Sequence, residues 1–252
     1  MDKPSAMMRN RLIEILIGFE VLRRHCAIGA KGLETELERL QAAMAHDLKD
    51  ATPDYEEVYL SEINDEYIEV SETLPRLQWY SQFLVAYAFF ENSLNDICAT
   101  AREERNSPLS LKDLSDQGIT RARNYLVKVA GFSGAFETAA WQEVKFLAEI
   151  RNTIMHRNGL IEELPENGTS LYARIKARTG AGISVEVPDR LEPQINFGEQ
   201  FLVGAISTYI AVIREIGTCP ASGCAGDMEF VDRVIANYCA KRSWWGASPM
   251  KE

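Results

Sequence analysis

Apolar positions along this chain recur mostly at spacings of three and four, the period of one helix face. Met8, Leu12, Ile15, Leu16, Phe19 and Leu22 predict a first helix over residues 7–27, punctuated by Gly29 and Gly32. Leu33, Leu37, Leu40 and Met44 form one seam and predict a second, amphipathic helix over 33–49 that packs on a neighbour or partner. Residues 50–72 abandon the pattern for a run of acids and read as a solvated connector with room for a short helix. Pro75 suits the first turn of the next helix, which runs to about 104. It is apolar on most faces and is the predicted central element. Two short helices follow, over 110–117 and 119–130, separated by Gly118 and closed by Gly131, and then a longer one over 137–158.

Past residue 159 the texture changes. SLYARIKARTGAGISVEV alternates like a hairpin, with a strand over 171–178 and a turn near Thr179-Gly180-Ala181-Gly182. Helical spacing returns over 198–217 and 227–242. The pattern predicts an all-α bundle with a small β-hairpin insertion. It divides into an N-terminal helical region with its acidic connector (1–72), a helical domain (73–243) carrying the insertion at about 165–190, and a tail (244–252). The tail holds Trp244 and Trp245, placed either to cap the bundle or to meet a partner.

Composition adds bounds. The 252 residues are 46% hydrophobic, enough for a sizeable core. No apolar run approaches bilayer-spanning length, and Glu14 and Glu20 interrupt the N-terminal apolar stretch, so a soluble cytosolic protein with no membrane association is expected. The cysteine count is odd. Cys98 and Cys239 fall in helical patterns, while Cys219 and Cys224 flank a Gly/Pro loop without a nearby histidine, favouring free thiols over a disulfide or half a zinc site. No metal or cofactor is therefore expected. A net charge of −10 disfavours non-specific nucleic-acid binding through the overall field.

The 137–158 helix carries the chemistry. On a helical projection Trp141, Val144, Leu147, Ala148, Ile150, Ile154 and Met155 form one stripe, and Arg151 falls within it. A guanidinium there needs a partner or a wet cleft, because it cannot discharge. Glu91 lies in the corresponding stripe of the central helix and is the expected partner, by contact or through a shared polar pocket; alternatively, a buried ion pair would only fix packing register. Asn152 and His156 sit together on the flank, four residues apart. Histidine suits proton transfer near neutrality and arginine suits phosphate oxygens. An amide between them orients either one.

Arg151-Asn152-Thr-Ile-Met-His156 resembles the signature of HEPN domains: arginine, a polar residue, then histidine after a short gap. FFENSLNDIC, DLSDQGITRARNYL and WQEVKFLAEIRNTIMHRNG extend the resemblance over about residues 75–160. It implies an all-α bundle that dimerises with its motif helices facing each other, and metal-independent RNA cleavage in toxin–antitoxin or anti-phage systems. Arg151 and His156 are then the implied catalytic pair, with Asn152 beside them and Glu91 in support. Some members of the family are instead inactive scaffolds or ligand sensors.

RNA contact would need local basic surface. Arg121, Arg123 and Lys128 occupy an acid-free stretch at 117–136. If 171–178 is a strand, Tyr172, Arg174, Lys176 and Arg178 share one face, a basic stripe with an aromatic. Arg157 joins them as an RNA-contact candidate. The expected partners are an RNA substrate, a second copy of the chain, and a regulatory protein such as an antitoxin or defence-system subunit. The alternative is a non-catalytic scaffold or sensor that binds a protein or nucleotide ligand, with the Leu33–Met44 seam and the tryptophan pair as its contacts.

Overall fold

The computed structural model describes residues 6–49, 52–161, 170–178, 180–187 and 193–243; Trp244 and Trp245 lie outside them. The fold is all-α with one small antiparallel hairpin. Its helices are α1 (Ala6–Asp47), α2 (Pro53–Ile68), α3 (Leu74–Arg105), α4 (Gly118–Lys128), α5 (Ala139–Arg157), α6 (Leu171–Lys176), α7 (Glu199–Thr218) and α8 (Met228–Ser243). The strands are β1 (Ile183–Glu186) and β2 (Gln194–Phe197).

Several predicted boundaries move, each for a physical reason. Residues 7–49 do not form two helices: α1 is continuous through Gly29 and Gly32. A Cβ on Gly29 would stand 2.1 Å from the Gln78 side-chain nitrogen, so this glycine admits a close helix–helix approach and breaks nothing. Most described positions of the acidic stretch 50–72 are exposed, as expected of a solvated segment, but its helix is longer than a short one and fills most of it. Pro53 opens α2, and Asp54 and Glu56 occupy its first turn, where the unpaired N–H groups favour negative charge. One π-helical turn, Glu69–Thr73, then joins α2 to α3, and the Leu74 N–H reaches back five residues to the Glu69 carbonyl. Pro75 has no N–H to donate, so a widened turn just before it lets the helix continue.

The hairpin exists, but displaced from its predicted place. Residues 171–176 are helix α6, not a strand: the Ser170 side chain accepts from the Ala173 N–H as an N-cap, and Ile175 is the buried anchor. The two strands pair in the register Ile183↔Phe197, Ser184↔Asn196, Val185↔Ile195 and Glu186↔Gln194. Ile183, Ile195 and Phe197 face inward.

The chain resolves into two compact units, each assembled from separate segments. One comprises Met1–Arg23, Val85–Glu149 and Ala205–Glu252, the other Arg24–Leu84 and Ile150–Gly204, so each takes part of α1, α3, α5 and α7. The first is centred on Tyr209, whose ring stacks on Phe90 at 4.6 Å between centroids; Phe19 meets Phe89 edge-on at 4.9 Å. Helix α7 is long and apolar enough to cross a membrane, contrary to the expectation that no such run exists. With 56% of that stretch buried inside the protein, it has the character of a core helix. The second unit is centred on Phe197, with Tyr80, Phe83 and Phe201 within 5.5 Å, centroid to centroid.

Candidate functional site

The last two turns of α5 lie in the second unit and carry the sequence motif. Helix α5 buries Trp141, Val144, Phe146, Leu147, Ile150 and Ile154. The buried arc is therefore shifted from the predicted stripe: Phe146 belongs to it, while Met155 is 51% exposed. Arg151 sits at the border, half-buried, and Asn152 and His156 are exposed. The Arg151 Nη1 donates to the Asn152 Oδ1 at 3.0 Å. That bond ties the guanidinium to the same turn that presents His156, and among the described residues no hydrogen-bond partner occupies the His156 ring.

The helix stops two residues later, at Asn158-Gly159. Both are left-handed, with φ of 50° and 81°. The Gly159 N–H reaches the Thr153 carbonyl at 3.1 Å and the Asn158 N–H reaches Ile154 at 3.0 Å, closing the helix end with backbone donors. The hairpin fixes this stop. The Ile195 N–H donates to the Gly159 carbonyl at 2.9 Å, and the Gln194 amide donates to the Asn158 carbonyl at 2.9 Å. Tyr80 lies directly against the face of Gly159 that carries no side chain, and its hydroxyl donates to the Ile195 carbonyl. His156 is thus held on a helix terminus bound to α3 and to the hairpin.

No family model, curated protein or solved structure matches this chain.

The remaining candidates are scattered. Glu91 belongs to the first unit, half-buried, with its carboxylate beside Gly118 at the start of α4. Arg121, Arg123 and Lys128 also belong to that unit and lie on α4, but not on one face. Arg121 and Lys128 are seven residues apart and share a side, while Arg123 is turned away from Arg121 by about 160°. Arg123 donates to Asn124, which in turn donates to Asp116. The predicted basic stripe at 171–178 does not form, because α6 replaces the strand. On a helix Tyr172 pairs with Lys176, whose ammonium lies 5.0 Å from the ring centroid, while Arg174 and Arg178 fall elsewhere. Arg157 occupies the last turn of α5, where a cation complements the exposed carbonyls.

All five cysteines are free thiols. Among the described residues no three His, Cys, Asp or Glu side chains come together as a metal site. Sequence reasoning missed the hairpin's hold on the helix end. The Asn-Gly pair at 158–159 was its one legible signal, since those residues together favour a left-handed stop.

Proposed function

We propose that the protein is a metal-independent endoribonuclease of the HEPN type, acting in the cytoplasm as a homodimer. The observation that carries this reading is the presentation of Arg151, Asn152 and His156 on one solvent-accessible helix end, with the guanidinium and amide already hydrogen-bonded. His156 takes the 2′-OH proton, or delivers a proton to the leaving 5′-oxygen, with the second protomer's copy filling the other role. The 2′-oxygen bonds to phosphorus, the P–O5′ bond breaks, and a 2′,3′-cyclic phosphate remains. Arg151 offsets the charge that builds on the phosphorane oxygens, and Asn152 holds it in orientation. Residues five apart on a helix point about 140° away from each other, so Arg151 and His156 serve a cleft between two motif helices better than one isolated surface. An enzyme with this activity endangers its own host, so a toxin–antitoxin or anti-phage setting with a restraining protein partner follows.

The test is cleavage of end-labelled RNA in EDTA by the wild type, His156→Ala and Arg151→Ala, alongside solution mass. Both variants should lose cleavage. Equal cleavage by all three proteins points to contamination and removes the assignment, and a strict monomer in the presence of RNA removes the composite cleft. A non-catalytic scaffold is the second reading. It is favoured by the acid-rich helix α2, which exposes Tyr55, Val58, Leu60 and Tyr67; under it, the wild type cleaves nothing.

A further inference from the structure

The second unit contains a two-helix arm. Within it the later part of α1 runs antiparallel to α2 and the start of α3. Tyr59 donates to the Asp47 carboxylate at 3.1 Å, Glu66 acts electrostatically on Arg39, and Gly29 faces the Gln78 and Gln82 side chains. Residue numbers thus fall on one side of the arm as they rise on the other. The apolar seam of α1 is covered here, with Leu40 buried and Leu33, Leu37 and Met44 half-buried. Opposite, Tyr59 and Ile63 are half-buried and Val70 is buried.

Helix α2 has a second face that no described residue covers. Tyr55, Val58, Glu62, Asp65 and Glu69 follow one another at spacings of three and four, which sets them in one line along the helix, about 100° around from Tyr59 and Ile63. All five are exposed, Tyr55 at 52% and Val58 at 56%. Among the described residues Glu62, Asp65 and Glu69 make no ion pair and no side-chain hydrogen bond. The line therefore runs from an apolar end into three unopposed carboxylates.

Charge decides what fits it. Residues 31–72 hold 13 of the chain's 37 acids and 3 of its 27 lysines and arginines, so the whole net charge of −10 resides in this stretch and the remainder of the chain is balanced. Like charges at helical spacings of three and four repel each other. A helix covered on one side and self-repelling along another is stabilised by a neighbour of opposite charge. The same charge repels nucleic acid, an anionic lipid surface and the α2 of a second copy.

We propose that this face of α2 docks a basic amphipathic helix of another protein, which sets apolar side chains on Tyr55 and Val58 and lysine or arginine on Glu62, Asp65 and Glu69. Helices dock in this way through anchors spaced by three, four and seven residues. Apolar contact supplies the affinity that exposed ion pairs lack. The charges fix the partner's register and speed its approach. The inference goes beyond the cleavage reading and does not depend on it.

The probes are fluorescein-labelled, alanine-rich peptides of about 20 residues, long enough to run the length of α2. One carries leucines and then arginines in a single line at spacings of three and four, made in both chain orders. A second has glutamate in place of arginine. A third scatters the residues of the first around the helix. Each is titrated by fluorescence anisotropy, without RNA, against the full chain, Val58→Gln, and the triple variant Glu62→Gln, Asp65→Asn, Glu69→Gln. Circular dichroism verifies folding of both variants, whose altered side chains are exposed.

The aligned arginine peptide should bind the wild type at least about tenfold more tightly than the other two, and more weakly as salt rises. The triple variant should lose about tenfold, the combined effect of three exposed ion pairs, and Val58→Gln about fivefold. Equal binding of the aligned and scattered peptides shows diffuse attraction alone and overturns the proposal. So does binding to both variants within about twofold of wild type, or no binding of the aligned peptide in either chain order. A sedimentation mass of the wild type alone that falls in Val58→Gln assigns the face to a second copy and overturns it too. RNA cleavage without aligned-peptide binding leaves the nuclease reading intact and removes the docking face. Aligned-peptide binding without cleavage does the opposite.

Discussion

Replacing Gly159 with alanine tests whether the end of the motif helix is fixed as described. Gly159 has φ of 81°, where an L side chain costs about 1–2 kcal/mol. The new Cβ would stand 2.1 Å from the Tyr80 hydroxyl oxygen and 2.8 Å from the adjoining ring carbon. Tyr80 is not free to swing aside: it is 4% exposed, its ring centroid lies 5.4 Å from that of Phe197, and its hydroxyl donates to Ile195. Overpacking at such a site costs about a further 1–3 kcal/mol. The sum, about 2–5 kcal/mol, is a large share of the 5–15 kcal/mol by which domains are ordinarily stable.

Urea unfolding followed by circular dichroism should show a lower midpoint with an unchanged slope. Tyr80→Phe removes the atom at 2.1 Å. Alone it should cost about 1 kcal/mol for the lost hydrogen bond, but in the Gly159→Ala background it should cost less or relieve strain. The cycle should therefore show a coupling of at least about 1 kcal/mol. A Gly159→Ala loss below about 0.5 kcal/mol, the usual range for an unconstrained surface change, would refute the steric argument. Strict additivity with Tyr80→Phe would refute it equally.

Three further outcomes follow from the same geometry. Gly32 lies inside α1 with nothing within 4 Å of its Cβ position, so Gly32→Ala should stabilise by about 0.5–1 kcal/mol in the same urea assay; a loss would contradict a continuous α1. Burial pushes the thiols of Cys26 and Cys224 up to about 11, and Cys98 and the Tyr80 phenol to about 12. These groups stay neutral in the fold at a pH where they ionise in the unfolded chain. The stability they contribute is complete below pH 9, the ordinary thiol value, and is lost as pH rises through 11 to 12. The melting temperature should consequently fall more steeply above pH 9, and a rise between pH 9 and 11 would reverse the sign of this argument. Iodoacetamide at pH 8, read by peptide mass spectrometry, should label half-exposed Cys219 before buried Cys26, Cys98 and Cys224; labelling of Cys98 first would contradict its burial.

Periodicity made the helices legible because most bury one face, and the extents of α5, α7 and α8 followed from spacing alone. It failed where one residue type serves two structures. Gly29 reads as a breaker, yet here it provides room for Gln78. Pro75 reads as a helix start, yet the chain enters it through a π turn that no periodicity announces. Tyr172, Arg174, Lys176 and Arg178 alternate as a strand would, but six residues are too few to separate a period of 2 from one of 3.6. The Ser170 cap and the single anchor Ile175 decided for helix.

Arg151 shows the same limit at the site itself. A hydropathy projection counts Met155 as core and so draws an apolar stripe across the arginine. Near the end of α5 the buried positions narrow to Leu147, Ile150 and Ile154 while Met155 is half exposed, so Arg151 borders the buried face there. A border guanidinium escapes the desolvation cost of burial and keeps part of its charge available to solvent. That position is the one a phosphate-binding arginine requires. The same narrowing exposes Met155 beside Asn152 and His156, an apolar side chain amid polar ones. A second motif helix would cover it in the dimer on which the proposed cleavage depends. Met155→Asp should therefore weaken self-association and, if the cleft is composite, abolish cleavage with the fold intact. Analytical ultracentrifugation showing an unchanged mass, with RNA cleavage retained, would break the link between that exposed face and the dimer.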